Sequence, residues 1–594
     1  RLVGKMPPLR RTNRGSPTAC SSPAINWLTA GCAMPMSRAA AETEPVRITA
    51  ANASMCLSRR MLLDVGLTLS PPRGRRPAAP RSGFGHARHR GKQVARIGVA
   101  RPQQNFVRRA RLDDLALAHA GDLQPEAAGH PLQLLTGHEV VVVEGRDRVG
   151  GVVAPGEVAG VRLDVGAESI RVGEAAEAIL VTAGLDGRRV SPEPVPAQLW
   201  TRGSLVALPA RTFMGVPSDT ATTGDVLDEQ ERARAAAGGQ PALGDGDDAD
   251  VSVATGIAAE YGRAVVDRLV EPLLGGVYAG RVDDLSLAST MPPLWAAARR
   301  EGSLAAAVRS LVPPTTPSPS AGAGSATGRR GPMLLGLAGG VHQLPLALAD
   351  IVRSRGGEIR LGTLSRGLER TSTGWRVLTG PTTDPVYLEA EAVVVATPAP
   401  AATRLLAEVT PFAAAALREV ETASMAVVTL AVPAGRDGWD DLPGSGFLVP
   451  TVDGRLIKAS TFVSTKWGWA RDAAAREGLL LLRASVGRAG DVAPLQRDDA
   501  DLVTAALADV AEALGRPVPT LVDSHVHRWG GGLPQYTVGH RSRVDRIAAA
   551  VAEVPGLAVT GASYGGVGIA AVVAHAQAAA RTILTHLARP KENA

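Results

Sequence analysis

Cysteine is nearly absent from this 594-residue chain: the three present, Cys20, Cys32 and Cys56, all fall near the start. Residues 137–594 therefore carry no disulfide, no thiolate metal site and no cysteine nucleophile. That fits a cytosolic protein. No apolar run reaches about 18 residues, so no transmembrane helix is expected, and no secretory signal opens the chain. Lysine occurs only five times, which points to a high-GC coding source. What is present, 45% hydrophobic and 20% charged residues, excludes a wholly disordered or collagen-like chain. The length allows about two to four domains.

The net charge of +7 divides unevenly. Residues 1–136 hold 21 Lys+Arg against 7 Asp+Glu, and the remainder holds 43 against 50. The basic character belongs to the leader, so no nucleic-acid binding is read from it. Stretches such as Pro71-Pro72-Arg73-Gly74-Arg75-Arg76-Pro77 lack periodicity, and the leader is expected to be largely disordered or misread, with a genuine basic tail as the competing reading. From Gly137 strand, helix and turn signals alternate to about Ala588. Residues 313–332 (PPTTPSPSAGAGSATGRRGP) read as a flexible linker.

The first ordered segment carries chemistry. His138 to Glu144 is a valine-rich run ending in an acid, expected to be a buried parallel strand. An acid at the carboxyl end of such a strand accepts hydrogen bonds from a ribose. Gly145, Arg148, Gly150 and Gly151 follow; paired glycines admit a ligand to the backbone, and an arginine can meet a phosphate. An ordinary strand with a glycine turn is the plainer alternative. A strand–GxGxxG–helix unit should stand about 20 residues ahead of Glu144. The window 91–136 contains none, so the pyrophosphate-binding half-site is absent from the sequence as written.

Further blocks follow in order. Asp164-Val165-Gly166-Ala167-Glu168-Ser169 comes after a short hairpin, and Glu271 to Gly280 reads EPLLGGVYAG. Arg528-Trp529-Gly530-Gly531-Gly532-Leu533-Pro534-Gln535-Tyr536 lies near the end. Gly561-Ala562-Ser563-Tyr564-Gly565-Gly566-Val567-Gly568-Ile569 links the strand at 557–560 to an Ala-rich helix. Together these resemble the bacterial protoporphyrinogen/coproporphyrinogen oxidase family, within the wider FAD amine-oxidase-like group, over about 137–588. The resemblance implies an α/β fold: a discontinuous FAD-binding Rossmann-like domain, a mixed-sheet substrate domain and a helical subdomain.

It also implies boundaries. The FAD-binding parts would be 137–190, 333–400 and 520–588, the substrate domain 191–220 and 401–519, and the helical subdomain 221–312. The cofactor residues it implies are Glu144, Gly145, Arg148, Gly150, Gly151, Gly166, Ala167, Glu168, Ser169, Trp529, Gly561, Val567, Gly568 and Ile569, with the backbone of Ser365, or of Leu364 if the register shifts by one, as the adenine contact. For Gly566 and Gly568 the physics agrees independently, because a helix N-terminus favours an anionic or electron-rich group.

A flat polyacid needs an apolar slot with basic groups at its rim. Arg202, in a hairpin at 200–209, is the candidate propionate contact, and Gly275, Gly276 and Tyr278 are candidates for the slot wall. A solvated turn arginine and close helix packing are the plainer alternatives. His342 and His540 read as structural, and His525 with His527 make no metal pattern. Helices are expected at Tyr261–Leu274 and Leu294–Leu311. The implied reaction is flavin-mediated oxidation of a porphyrinogen, with oxygen as acceptor, hydrogen peroxide as by-product and no catalytic base or metal. The high-GC text favours coproporphyrinogen III over protoporphyrinogen. A cytoplasmic haem-biosynthesis enzyme in transient contact with other enzymes of its pathway follows. The competing readings are another FAD amine oxidase or desaturase, and a non-functional product lacking the GxGxxG half-site.

Overall fold

Residues 137–244, 246, 249–312 and 333–589 are described by the structure, a computed structural model; the leader 1–136 and the linker 313–332 lie outside them. The largest element is a mixed seven-stranded sheet. Its order is Asp523–Pro534, Thr422–Pro433, Leu479–Val486, Ile457–Phe462, Gly446–Leu448, Ala197–Thr201 and Ser204–Ala207. Leucine, alanine and valine supply most of the buried positions in these strands, with Trp200, Phe447 and Phe462 among the aromatics. One face packs on the helix Asp499–Leu514, where Trp200, Phe447 and Phe462 meet edge to face. The strand Asp523–Pro534 belongs wholly to this sheet, pairing antiparallel with Thr422–Pro433, so the sheet takes in residues grouped above with the third cofactor stretch.

The helical part departs from expectation in two places. No single helix spans Tyr261–Leu274. Gly262, at φ 88°, ends the helix Val253–Tyr261, and the chain resumes through Arg263–Val265 and a π-helical turn, Val266–Val270, into the helix Glu271–Tyr278. Likewise Leu294–Leu311 is two helices, Pro292–Glu301 and Leu304–Leu311. Gly302 caps the first in the left-handed conformation and the Ser303 hydroxyl accepts from Ala306 N to start the second.

Outside the seven-stranded sheet lie two parallel strand pairs, Val141–Val143 with Glu358–Arg360 and Val393–Val395 with Leu557–Val559. The first was expected to be buried. Instead Val141 and Val142 are 37% and 36% exposed, because among the described residues their strand is paired along one edge only. Leu334–Leu337 lies between Ile170–Arg171 and Arg189–Val190. The helices Gln343–Ser354 and Ile569–Leu587 complete this layer.

Candidate functional site

Four segments distant in sequence meet around Gly166. A Cβ there would stand 1.9 Å from Val152 O and 3.1 Å from the Trp529 ring, so only glycine fits. Trp529 Nε1 donates to Val165 O at 2.9 Å, and Ala167 N donates to Val152 O at 3.3 Å. The guanidinium groups of Arg146 and Arg148 lie 5.7 and 5.8 Å from the centre of the Trp529 ring. Arg148 folds back on the glycine pair, donating to Gly151 O at 2.8 Å. Gly150, at φ 101°, abuts Pro345 of the helix Gln343–Ser354.

Glu144 stands at the end of its strand, where one carboxylate oxygen accepts from Arg146 N at 2.8 Å. The chain before Ser365 is bound to this corner: Thr363 N donates to Glu144 O at 2.9 Å, and Leu364 borders Gly145. The C-terminal loop lies nearby, with Ile569 packed against the cluster that holds Ile170 and Val341. The 19-residue helix Ile569–Leu587 starts at Gly568 with no side-chain cap, leaving its first amides for a ligand. Gly566, at φ 135°, has no room for a Cβ against Ala571.

This loop is tied to the sheet and the helical part. Tyr536 Oη donates to Ala562 O at 2.6 Å, and Gln535 Nε2 donates to Tyr278 O at 2.7 Å. The rings of Tyr278 and Tyr536 lie 5.5 Å apart, and His540 stacks on Tyr536 at 3.9 Å. Val567, Leu448, Val206 and Leu208 pack against the cluster that contains Tyr278 and Tyr536. Gly276 faces Leu448. Burial holds these groups neutral. It pushes the Tyr278 hydroxyl up to about 12 and the Tyr536 hydroxyl higher, and with Arg543 it lowers His540 to about 4.

Arg202 does not join this group. It sits at the turn of its hairpin with φ 53°, paired with Asp228 and Glu231, so carboxylates of the chain itself occupy it. The Glu168 side chain is likewise taken up within the protein, which leaves only its backbone for a cofactor. Its oxygens bind Lys466 Nζ at 2.5 Å and Arg483 Nη1 at 2.6 Å. Burial alone would raise its pKa, but the two cations outweigh that and hold it at about 2. His342 is structural: its Nδ1 lies 2.8 Å from Asp164, whose carboxylate also accepts from the amides of Val341 and His342. Among the described residues no group of His, Cys, Asp and Glu is arranged for a metal.

The sequence pattern of the flavin-containing amine oxidoreductases matches residues 132–584. The chain belongs to this family. A coproporphyrinogen III oxidase of Mycobacterium tuberculosis (strain ATCC 25618 / H37Rv) is 33% identical over 75% of this chain and 92% of its own length. One from Bacillus subtilis (strain 168) is 30% identical over 76% and 92%. A solved structure from Exiguobacterium sp. 255-15, provisionally named a protoporphyrinogen oxidase, superposes with a TM-score of 0.64 at 27% identity, covering 77% of this chain and 95% of that one. Cyclohexylamine oxidase from Brevibacterium oxydans IH-35A shares the fold, with a TM-score of 0.54 at 17% identity.

As a family member the chain takes a flavin, and its residues fit one. The close quarters at Gly166, the backbone amides of Glu168 and Ser169, partnerless among the described residues, and the helix start at Gly568 without a side-chain cap suit a polar ring edge. The second Glu144 oxygen, without a partner among the described residues, suits a ribose hydroxyl.

Several residues of the site escaped the sequence reading. Lys466 and Arg483 lie 298 and 315 residues from Glu168, beyond any local pattern. The available signal was a lone arginine in the apolar strand Leu479–Val486. Lys458 is a second buried cation in an apolar strand: 2% exposed, with no hydrogen-bond partner for its Nζ among the described residues, it lies within electrostatic reach of Arg488 and Glu271.

Proposed function

We propose that this protein is an FAD-dependent coproporphyrinogen III oxidase, releasing coproporphyrin III, with oxygen as acceptor and hydrogen peroxide as by-product. One observation carries the reading: the packed rings of Tyr278 and Tyr536 form a neutral wall beside the loop at Gly561–Gly568, and Leu448 and Val567 pack against the same cluster. A reduced macrocycle is flat and largely apolar at its face, and such a wall lets it lie against a cofactor without meeting charge. Bound FAD would supply two-electron acceptance from the macrocycle and return the two electrons and two protons of each step to oxygen as peroxide.

The chain's own part is to orient and exclude water. Tyr536 holds the loop through Ala562 O, and Gln535 fixes the end of the helix Glu271–Tyr278. Both tyrosines stay protonated and His540 stays uncharged at neutral pH, so this wall offers no charged group to the substrate. Glu144 and the backbone before Ser365 would receive the adenosine half, and Gly166, Gly568 and Ile569 the ring end. The same reading places the protein in the cytoplasm. No helix among the described residues is long and apolar enough to cross a membrane.

The test is direct. Purified full-length protein loaded with FAD is given coproporphyrinogen III or protoporphyrinogen IX in air, and porphyrin fluorescence and peroxide are followed. The expected result is one peroxide per two-electron step and a higher kcat/KM for coproporphyrinogen III. Preference for protoporphyrinogen IX reassigns the substrate, and no porphyrin from either ends the proposal.

A further inference from the structure

The segment Gly166–Ser169 is clamped from outside the local chain. Arg483 Nη2 donates to Gly166 O at 2.8 Å while its Nη1 binds Glu168 at 2.6 Å. Lys466 binds the other Glu168 oxygen. All three side chains are largely withdrawn from solvent, with 10%, 16% and 17% of Arg483, Glu168 and Lys466 exposed. A planar guanidinium is suited to this double task, because its fork spans a carbonyl and a carboxylate at once. The preceding carbonyl, Val165 O, is taken by Trp529. The acceptors of Val165 and Gly166 are thus engaged, while the amides of Glu168 and Ser169 have no partner among the described residues.

We infer that Arg483 is a positioning residue: with Lys466 it fixes Gly166–Ser169 in the one conformation that presents these amides to the flavin. The inference rests on the flavoprotein reading above for its last step, but the clamp itself does not. The apolar side chains of Leu163, Val463, Trp467 and Trp469, with Asp164, line the same corner as Glu168 and Arg483.

The experiment uses the full chain as wild type, Arg483→Lys, Arg483→Met and Lys466→Met. Hydrogen exchange is measured without added flavin at the amides of Val165 and Ala167, which are bonded to Ala154 O and Val152 O. FAD affinity is measured by absorbance titration. For Arg483→Met the exchange is expected to rise about tenfold or more relative to distant strands, the change that loss of a charge-assisted hydrogen bond produces. FAD binding is expected to weaken by a similar factor. Arg483→Lys, which keeps the charge and loses the fork, is expected to lie between. Lys466→Met is expected to act more weakly, since the Gly166 contact survives.

Unchanged exchange at Val165 and Ala167 in Arg483→Met overturns the inference, as does a rise no greater than in distant strands. Should Arg483→Met fail to fold, Arg483→Lys decides, and wild-type exchange there overturns it. If the wild type takes up no FAD, the flavoprotein reading fails, and the exchange measurement still decides the clamp.

Discussion

At Gly166 one hydrogen atom separates a working site from a collision. A methyl group there would meet the backbone oxygen of Val152, and neither can rotate away. Gly166→Ala is therefore expected to shift the segment, cost about 2 kcal/mol or more of stability and abolish flavin uptake. Urea denaturation and flavin absorbance check both. Its neighbour Glu168 sets an acid limit. Its folded pKa of about 2 lies below the unfolded value of 4.5, so its contribution is complete above 4.5 and is lost as pH falls through 2. Glu168→Gln should flatten the fall in stability between pH 5 and pH 2, and equal acid slopes for the two proteins would refute that assignment.

Among the elements, the strand Ile457–Phe462 holds an ionisable group where none is comfortable. Its register shifts between Ile457 and Ala459, and Lys458 sits at this irregularity. Burial first, then the charge of Arg488, lowers Lys458 to about 7, and Glu271 only partly opposes them. The unfolded chain binds that proton up to about 10.5, so stability should rise with pH between 7 and 10. Lys458→Met should remove the slope and add about 1 kcal/mol or more near neutral pH, read from denaturation midpoints at the two ends of the window.

The strand Val141–Val143 makes a second prediction. Glu144 N donates to Arg360 O and Val140 O accepts from Glu358 N, so the alternation of a parallel ladder turns the amides of Val141 and Val143 to the other edge. Their hydrogen exchange should be fast, and that of Val142 and Glu144 slow. These two strands also show what sequence could convey. The strand after Gly137 was legible from its valines. Its exposure was not, because burial depends on which strand lies alongside. The helix expected over Tyr261–Leu274 starts only at Arg263, for a local reason, the positive φ of Gly262, and carries a π-helical turn that apolar spacing does not reveal. The glycines at 166 and 566 were legible because a motif fixes them. Arg483 was not, because its partners are brought to it only by the finished fold.

Across the whole molecule, the proposed cofactor region is assembled from residues 144–151, 166–169, 529–536 and 561–569, which adjoin only when the chain is folded. A ligand of such a site binds the native state and not the unfolded one. FAD at about a hundred times its Kd should then raise the unfolding free energy by about 2.7 kcal/mol, and each further tenfold in concentration by about 1.4 kcal/mol. Riboflavin, which lacks the adenosine half assigned to Glu144, should give a smaller shift at equal concentration. Glu144→Ala should bring the FAD response down towards that of riboflavin while leaving the riboflavin response unchanged. Denaturation midpoints across a ligand series measure all three. A midpoint that does not move with FAD would mean that the four segments meet without making a binding site, and the assignment of Glu144 would fall with it.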